Sequence, residues 1–402
     1  MEDATLLERL RALPCGQRLL EAAAGQDGAH LVGGAVRDLL LEREPRELDV
    51  VVDGDLDALA SRLGAVATTH GRFGTATVRE GECRWDLAAA RAEHYERPGA
   101  LPEVRSAGID EDLRRRDVTV NAIALDLSSG DVRAVEHARA DLDARRLRVL
   151  HDASFIDDPT RLWRIARYAA RLGFELEERT AMLATEAVAA DALATVSGSR
   201  IGNELRLALH ELDPLAALDA AVKLGLAPWL AADHDRARAA LELLPEGEGR
   251  PDLVVLGACL AVTGGEADAL LAELQFSAAE RAVLRASGDA PALGVAARDA
   301  ASRASALARV LRGAPVEAVA LAGAHGAHDA ARRWLSELRN VRLAIDGGDL
   351  LAAGVPQGPE IGRLLAAALD LRLDGELGPQ RDAQLAAALQ AHVPGRARSR
   401  SG

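Results

Sequence analysis

Aromatic residues are nearly missing from this chain: Phe, Trp and Tyr make up 2% of its 402 residues, although hydrophobic residues make up 49%. An interior with so few rings must be built from Ala, Leu and Val, an alphabet that favours packed helices over extensive sheets. Cysteine is scarce as well. Cys15, Cys83 and Cys259 form neither a metal-binding spacing nor a credible disulfide framework, so free thiols in a reducing cytoplasm are expected. The longest apolar run, LVVLGACLAV from Leu253 to Val262, falls well short of the roughly 20 residues a membrane span needs. The opening MEDATLLERL is acidic and amphipathic, unlike a secretory signal, and a soluble protein with no membrane partner is expected. Positive charge is also short. A net charge of −14 argues against a chain that coats nucleic acid without selection, because that function needs a broad basic surface, and leaves room for a local basic strip. Nearly all the positive charge that exists is arginine, which suits bidentate phosphate and base contacts, although a GC-rich coding bias gives the same preference.

What is present divides in two. The length implies two to four compact units. Residues 5–24 have helical periodicity. Then LVGG gives a strand and a glycine turn, LDVVVDG a strand, DLDALASRL a helix, GTATVRE and CRWDLAAA a strand pair, and AIALDLSSGDVRAV a hairpin. After His151 strand signals almost vanish, and Ala/Leu/Arg-rich helical segments follow, separated by Gly and Pro breaks. The closing PGRARSRSG is expected to be a disordered basic tail.

The chemistry concentrates early. Residues two apart on a strand share a face, so Glu47 and Asp49 project side by side, with Asp53 on the same parity. Adjacent carboxylates suit Mg²⁺, and Asp86 in RWDLAAAR is the candidate third ligand on a neighbouring strand. The Gly33-Gly34 turn can bring backbone N–H groups against a triphosphate, with Arg37 adding charge. Alone, each part reads more readily as a solvated strand face or an ordinary turn. In DDPTRLWRIARYAARLGF, Pro159 fits the first turn of a helix and Gly173 its end. Arg161, Arg164, Arg167 and Arg171 fall in one stripe of that helix, with Asp158 at its start as either a cap or a functional acid.

Together, GGAVRDLLLEREPRELDVVV, RRRDVTVNAIAL (Arg114 to Leu125) and DDPTRLWRIARYAARLGF resemble, in order and spacing, the successive motifs of the class II tRNA nucleotidyltransferase and bacterial poly(A) polymerase family. The specific motifs cover about residues 30–175, and residues 215–335 carry no signature. The resemblance implies an α+β protein. A polymerase-β-like head (1–150) would be followed by a helical neck with a nucleotide-template helix (151–215), a helical body (216–330) and a tRNA-binding tail (331–402). It implies template-independent addition of C and A to the tRNA 3′ end from CTP and ATP by two-metal nucleotidyl transfer. Glu47, Asp49 and Asp86 would hold Mg²⁺, and Gly33, Gly34, Arg37 and Arg116 the triphosphate. Asp117 and Asn121 would serve the ribose side, Asp158 and Arg161 the base edge, and Arg164 and Arg167 would assist in nucleotide binding.

Departures and alternatives follow from the same residues. Glu47 stands where the family usually has aspartate, so either the metal shifts slightly or Asp53 contributes; Val118 and Thr160 replace a common Phe and Leu. The ten histidines form no metal-hydrolase signature. A CC-only enzyme, an A-only enzyme or a poly(A) polymerase shares these motifs, and an RNA-binding protein with a decayed head is the reading from another class. Ala92 to Leu113 lies where a loop governs the switch from C to A in the family.

Overall fold

The computed structural model describes residues 4–70, 74–231 and 233–391, and the chain divides into two compact units, Met1–Pro228 and Trp229–Gly402. The basic tail PGRARSRSG lies outside the described residues.

The first unit opens with two helices, α1 (Ala4–Ala12) and α2 (Pro14–Ala23), where sequence periodicity suggests one. Pro14 sits in the first turn of α2, where its missing N–H costs nothing, and so starts a new helix. Next come β1 (Ala29–Val32), α3 (Gly34–Leu40), β2 (Leu48–Val52), α4 (Leu56–Leu63), β3 (Ala65–His70), β4 (Thr75–Glu80) and β5 (Cys83–Ala89). A hairpin of β6 (Arg91–His94) and β7 (Glu103–Ser106) leads to α5 (Ile109–Arg114), β8 (Ile123–Asp126) and β9 (Val132–Ala134). Helices α6 (Ala138–Asp143) and α7 (Ser154–Asp157) precede α8 (Thr160–Leu172), α9 (Glu178–Ala189), α10 (Gly198–Leu209) and α11 (Pro214–Lys223).

Seven strands form one mixed sheet in the order β3-β4-β5-β2-β1-β8-β9. Within it β2 and β5 run parallel, a pairing that requires the crossover through α4, β3 and β4. Val32, Val51 and Ala124 from the sheet, with Ala122 just before β8, pack against Ile109 and Leu113 of α5, closing one face. Trp85 is fully buried, and its indole N–H donates to the Cys15 carbonyl at 3.1 Å, which brings the start of β5 against α2.

That contact corrects the expectation of free thiols. Cys15 and Cys83, 68 residues apart, are joined in a disulfide with a Cα–Cα separation of 5.4 Å. Spacing alone could not pair them, because α2 and β5 become neighbours only once the sheet forms. Scarce cysteine therefore gives no ground for inferring a reducing compartment.

The second unit is helical, from His234–Leu243 to Arg381–Gln390. Ile345, Leu350, Val355, Leu364, Ala368 and Ala388 form an apolar cluster of their own near its end. No helix among the described residues is long and apolar enough to cross a membrane.

Candidate active site

Strand register builds the acidic edge of the site. Parallel pairing sets Asp49 directly opposite Asp86, and Glu47 immediately precedes the same strand. Burial, then the charges of Glu47 and Asp86, push the Asp49 carboxyl up to about 6, against the pull of Arg116 and Arg84. Asp86 is turned to the protein: Thr77 Oγ1 donates to its Oδ1 at 2.5 Å and Arg84 Nη2 lies 2.8 Å from its Oδ2. Asp53 does not join the edge. It stands four positions on from Asp49, just past the end of β2 and roughly 13 Å away, and its carboxylate lies beside Gly108.

No set of three or more metal-ligating side chains is drawn together among the described residues. The donor chemistry nevertheless fits a hard divalent cation. The donors are all oxygens, and Asp49 is held protonation-prone by burial and like charges, a penalty that a bound cation reverses.

Beside the acidic edge lies a cavity of about 340 Å³ whose lining includes Gly33, Asp49, Arg116, Asp158 and Arg161. Gly33 has φ +69°, a turn conformation that favours glycine, and its open side faces Arg116 Nη1, which a Cβ would approach within 2.8 Å. Arg116 is aimed by Asp112, a fully buried carboxylate that accepts from Arg116 Nη2 at 3.0 Å and from Arg115 Nη2 at 2.7 Å. Arg37 is placed differently from the expectation. It is buried, paired with Asp38, and donates through Nη1 to Asn121 Oδ1 at 2.6 Å. Asn121 Nδ2 in turn donates to Asp117 Oδ1.

Asp117 is the centre of a closed polar knot. Its Oδ1 also accepts from the Val118 N–H, and its Oδ2 from the Tyr168 hydroxyl at 2.8 Å and Arg164 Nη2 at 2.6 Å. Burial alone would raise this carboxyl, but Arg164, Tyr168 and the Val118 N–H overcome it and hold Asp117 well below the usual carboxylate range.

Helix α8 ends at Gly173 in the left-handed conformation, and most of its residues are buried, so its arginines do not form a solvated stripe. They divide into two pairs. Arg161 and Arg164 line the cavity, whereas Arg167 donates to Glu204 at 2.9 Å and Glu211 at 3.1 Å. Arg171 Nε lies 3.8 Å from Glu211 as well. Arg161 Nη2 donates to the Arg115 carbonyl at 2.9 Å, while its Nη1 is buried with no partner among the described residues. Asp158 complements it. The donors that reach this carboxylate, the Thr160 N–H and hydroxyl and Arg200 Nη2, converge on Oδ1, leaving Oδ2 for the cavity. Asp158 and Arg161 thus stand on the same wall, one an acid and the other a base.

Sequence reading missed Asp112, Glu93, Tyr95 and Arg200. Asp112 was findable, since it stands three and four residues before Arg115 and Arg116 on a helix. Glu93 and Tyr95 belong to the β6–β7 hairpin, whose strand pattern is too polar to stand out. The Tyr95 hydroxyl donates to Glu93 Oε2 at 3.1 Å, and burial and Glu93 push its pKa up to about 12.

The chain is similar in sequence and in fold to known proteins. Residues 29–148 match the family described as the poly A polymerase head domain. Over 88% of this chain, the sequence is 35% identical to an A-adding tRNA nucleotidyltransferase of Geobacter sulfurreducens, although the chain spans only 44% of that relative's length. The fold matches a Thermotoga maritima CCA-adding enzyme complexed with tRNA-CCA at a TM-score of 0.73 and 25% identity, over 97% of this chain and 98% of the other. A CC-adding tRNA nucleotidyltransferase of Deinococcus radiodurans is 35% identical over 86% of this chain and 84% of its own. On that match across nearly the whole of both sequences, the chain belongs to the class II tRNA nucleotidyltransferase and poly(A) polymerase family.

Proposed function

We propose that this chain extends the 3′ end of tRNA with C and A nucleotides taken from CTP and ATP. The observation that carries this reading is the pair on the cavity wall, Asp158 with its donors gathered on Oδ1 so that Oδ2 remains as acceptor, and Arg161 as donor. Cytosine and adenine both present an exocyclic amine beside a ring-nitrogen acceptor, whereas uracil and guanine present a carbonyl beside an N–H. The wall therefore complements C and A and leaves both of its groups unpaired against U or G.

The remaining residues fit around a nucleotide read in this way. Gly33 and Gly34 offer backbone to the triphosphate, and Arg116, aimed by Asp112, neutralises it. Arg37, which pairs with Asp38 and Asn121, positions Asn121 toward the ribose and leaves the phosphates to Arg116. Arg164 shares its guanidinium between the Asp117 knot and the cavity, and Arg167 braces α8 against α10 through Glu204. Nucleotidyl transfer in this family uses divalent metal ions, and the oxygen donors Glu47, Asp49 and Asp86 make Mg²⁺ our assignment. Bound there, it supplies charge neutralisation at the α-phosphate and lowers the pKa of the attacking hydroxyl. The primer 3′-OH then attacks the α-phosphate and pyrophosphate leaves, with alignment and electrostatics supplying most of the acceleration.

The helical units past residue 150 are read as neck, body and tail that hold tRNA by shape and backbone, which suits an acidic protein with local arginine clusters. A cytoplasmic site of action follows from these substrates. The two relatives support the alternatives as much as the full activity, since one is named A-adding and the other CC-adding. The deciding experiment incubates the chain with tRNA lacking its 3′ CCA, supplies labelled CTP and ATP separately and together, and sequences the products. Full CCA is expected. Products ending in CC, or growth only on tRNA already ending in CC, would assign a partial activity; comparable extension of unstructured RNA would favour a poly(A) polymerase.

A further inference from the structure

Arg200, the third residue of α10, is ill placed for the helix that carries it, since a cation in the first turn opposes the helix dipole. Its partners account for the position. Arg200 Nη2 donates to Asp158 Oδ1 at 2.7 Å, and Nη1 donates to the carbonyl of Gly99 at 2.8 Å. Gly99 lies in the loop joining β6 to β7, the same loop whose Tyr95 and Pro102 line the nucleotide cavity.

That loop is seated by fit as well as by hydrogen bonds. Gly99 has φ +69°, and a Cβ there would meet Thr195 Oγ1 at 2.2 Å, so no other residue fits this turn without displacing its neighbour. Its N–H reaches the carbonyls of Ile156 and Asp157, both at 3.3 Å, at the end of α7 next to Asp158. One guanidinium therefore spans two parts of the cavity: the carboxylate on its wall and the backbone of the loop that borders it.

From this we infer that Arg200 is a positioning residue for base choice. It acts through Asp158, and the inference rests on the base-reading role proposed for that carboxylate. With Thr160, Arg200 saturates Oδ1 and fixes the plane of the carboxyl group, so that Oδ2 alone faces the base. Its second arm registers the β6–β7 loop against that plane, so the loop and the base-reading acid keep one geometry. Freed from Arg200, the carboxylate keeps its charge and the Thr160 hydrogen bonds but can rotate, and the acceptor no longer meets the exocyclic amine at a fixed angle.

The test compares kcat and KM for CTP, ATP and UTP in wild type, Arg200→Gln, Arg200→Lys, Asp158→Ala and the Arg200→Gln/Asp158→Ala double variant, with the same tRNA acceptor. Arg200→Gln is expected to narrow the preference for CTP and ATP over UTP by roughly ten- to a hundredfold, the size of one good base contact. Arg200→Lys, which keeps the charge and one hydrogen bond, should recover part of it, and it carries the test if the Gln variant does not fold. Added to Asp158→Ala, Arg200→Gln should change selectivity no further. If Asp158→Ala loses selectivity and both Arg200 variants keep it, the inference fails and the base-reading role stands. If Asp158→Ala keeps selectivity, the base-reading role fails and this inference with it. A uniform fall in kcat for all three nucleotides in the Arg200 variants reduces Arg200 to a structural tie.

Discussion

Two aspartates, the half-buried Asp49 at the acidic edge and the buried Asp117 in the polar knot, have been treated in opposite ways by the same fold. Burial raises both carboxyls. At Asp117 the protein supplies Arg164, Tyr168 and the Val118 N–H, and the carboxyl ends well below its ordinary value. At Asp49 the nearest charges include Glu47 and Asp86, and the carboxyl ends at about 6. The fold satisfies the Asp117 carboxylate from within and leaves that of Asp49 in deficit, a condition that a cation arriving from outside would relieve. Asp117 holds Asn121, Arg164 and Tyr168 in place, whereas Asp49 opens onto the cavity.

The largest expected consequence is catalytic. Asp49→Ala removes the central oxygen donor of the acidic edge, and nucleotide addition should fall by about three orders of magnitude or more, because metal-assisted charge neutralisation is worth several kcal/mol. Single-turnover extension of the tRNA acceptor with saturating Mg²⁺ measures it. Activity within tenfold of wild type would remove Asp49 from the site.

The comparison breaks or holds on a single chemical change made twice. Between about pH 4 and 6 the folded chain binds more protons at Asp49 than the unfolded chain does. Stability therefore falls as pH rises through that window, and the full cost, roughly 3 kcal/mol, is present above pH 6. Asp49→Asn removes the cost, so this variant should be more stable than wild type at pH 7.5, and added Mg²⁺ should raise the melting temperature of wild type but not of the variant. Asp117 carries the opposite sign. Its stabilisation is present above its ordinary pKa and is lost as pH falls below it. Asp117→Asn should lose about 2–3 kcal/mol, less than a fully buried pair would, because Arg164 is 38% exposed and water can replace part of the interaction. Urea unfolding of both variants at pH 7.5 reads the two signs directly, and two losses would mean that Asp49 is a structural acid like Asp117.

How legible this was depended on how far apart in sequence the partners lie. The strands that carry Asp49 and Asp86 were readable from local alternation, and the helix from Pro159 to Gly173 from its two ends. The pairing that sets Asp49 opposite Asp86 needed only adjacency of those strands. Arg37 reads as a phosphate ligand in sequence because nothing nearby shows that Asn121, 84 residues on, takes its donor. Arg167 reads as a nucleotide-binding residue for the same reason, since Glu204 lies on α10 and Glu211 in the turn just beyond it. Arginine stripes are visible in sequence, but the acids that neutralise half of this one are not. The α8 stripe would be sharpened by Glu204→Gln and Arg167→Met, each expected to cost about 1–3 kcal/mol of stability while leaving the CTP to UTP preference unchanged, which would separate the bracing arginines from Arg161.

The smallest effect concerns Glu47, the residue that departs from the family pattern. It is exposed, and it stands one residue before β2 on the same side as Asp49, so its carboxylate contributes charge to the edge without being held by the core. Either substitution there should therefore leave stability within about 0.5 kcal/mol of wild type, as surface changes usually do. Activity separates the two possible roles. Glu47→Asp shortens the side chain by one methylene but keeps a carboxylate, and it should retain activity within about tenfold. Glu47→Gln keeps the length, loses the charge, and should lose most of the activity if Glu47 contributes an oxygen to the metal. The Gln change also removes one of the two like charges that raise Asp49, so the Asp49 carboxyl should titrate lower in the metal-free protein, a readout by NMR that does not depend on turnover. A Gln variant with full activity and a lowered Asp49 pKa would show that Glu47 acts only as a neighbouring charge. With Asp53 roughly 13 Å along the strand from Asp49, the cation would then be held by Asp49 and Asp86 alone.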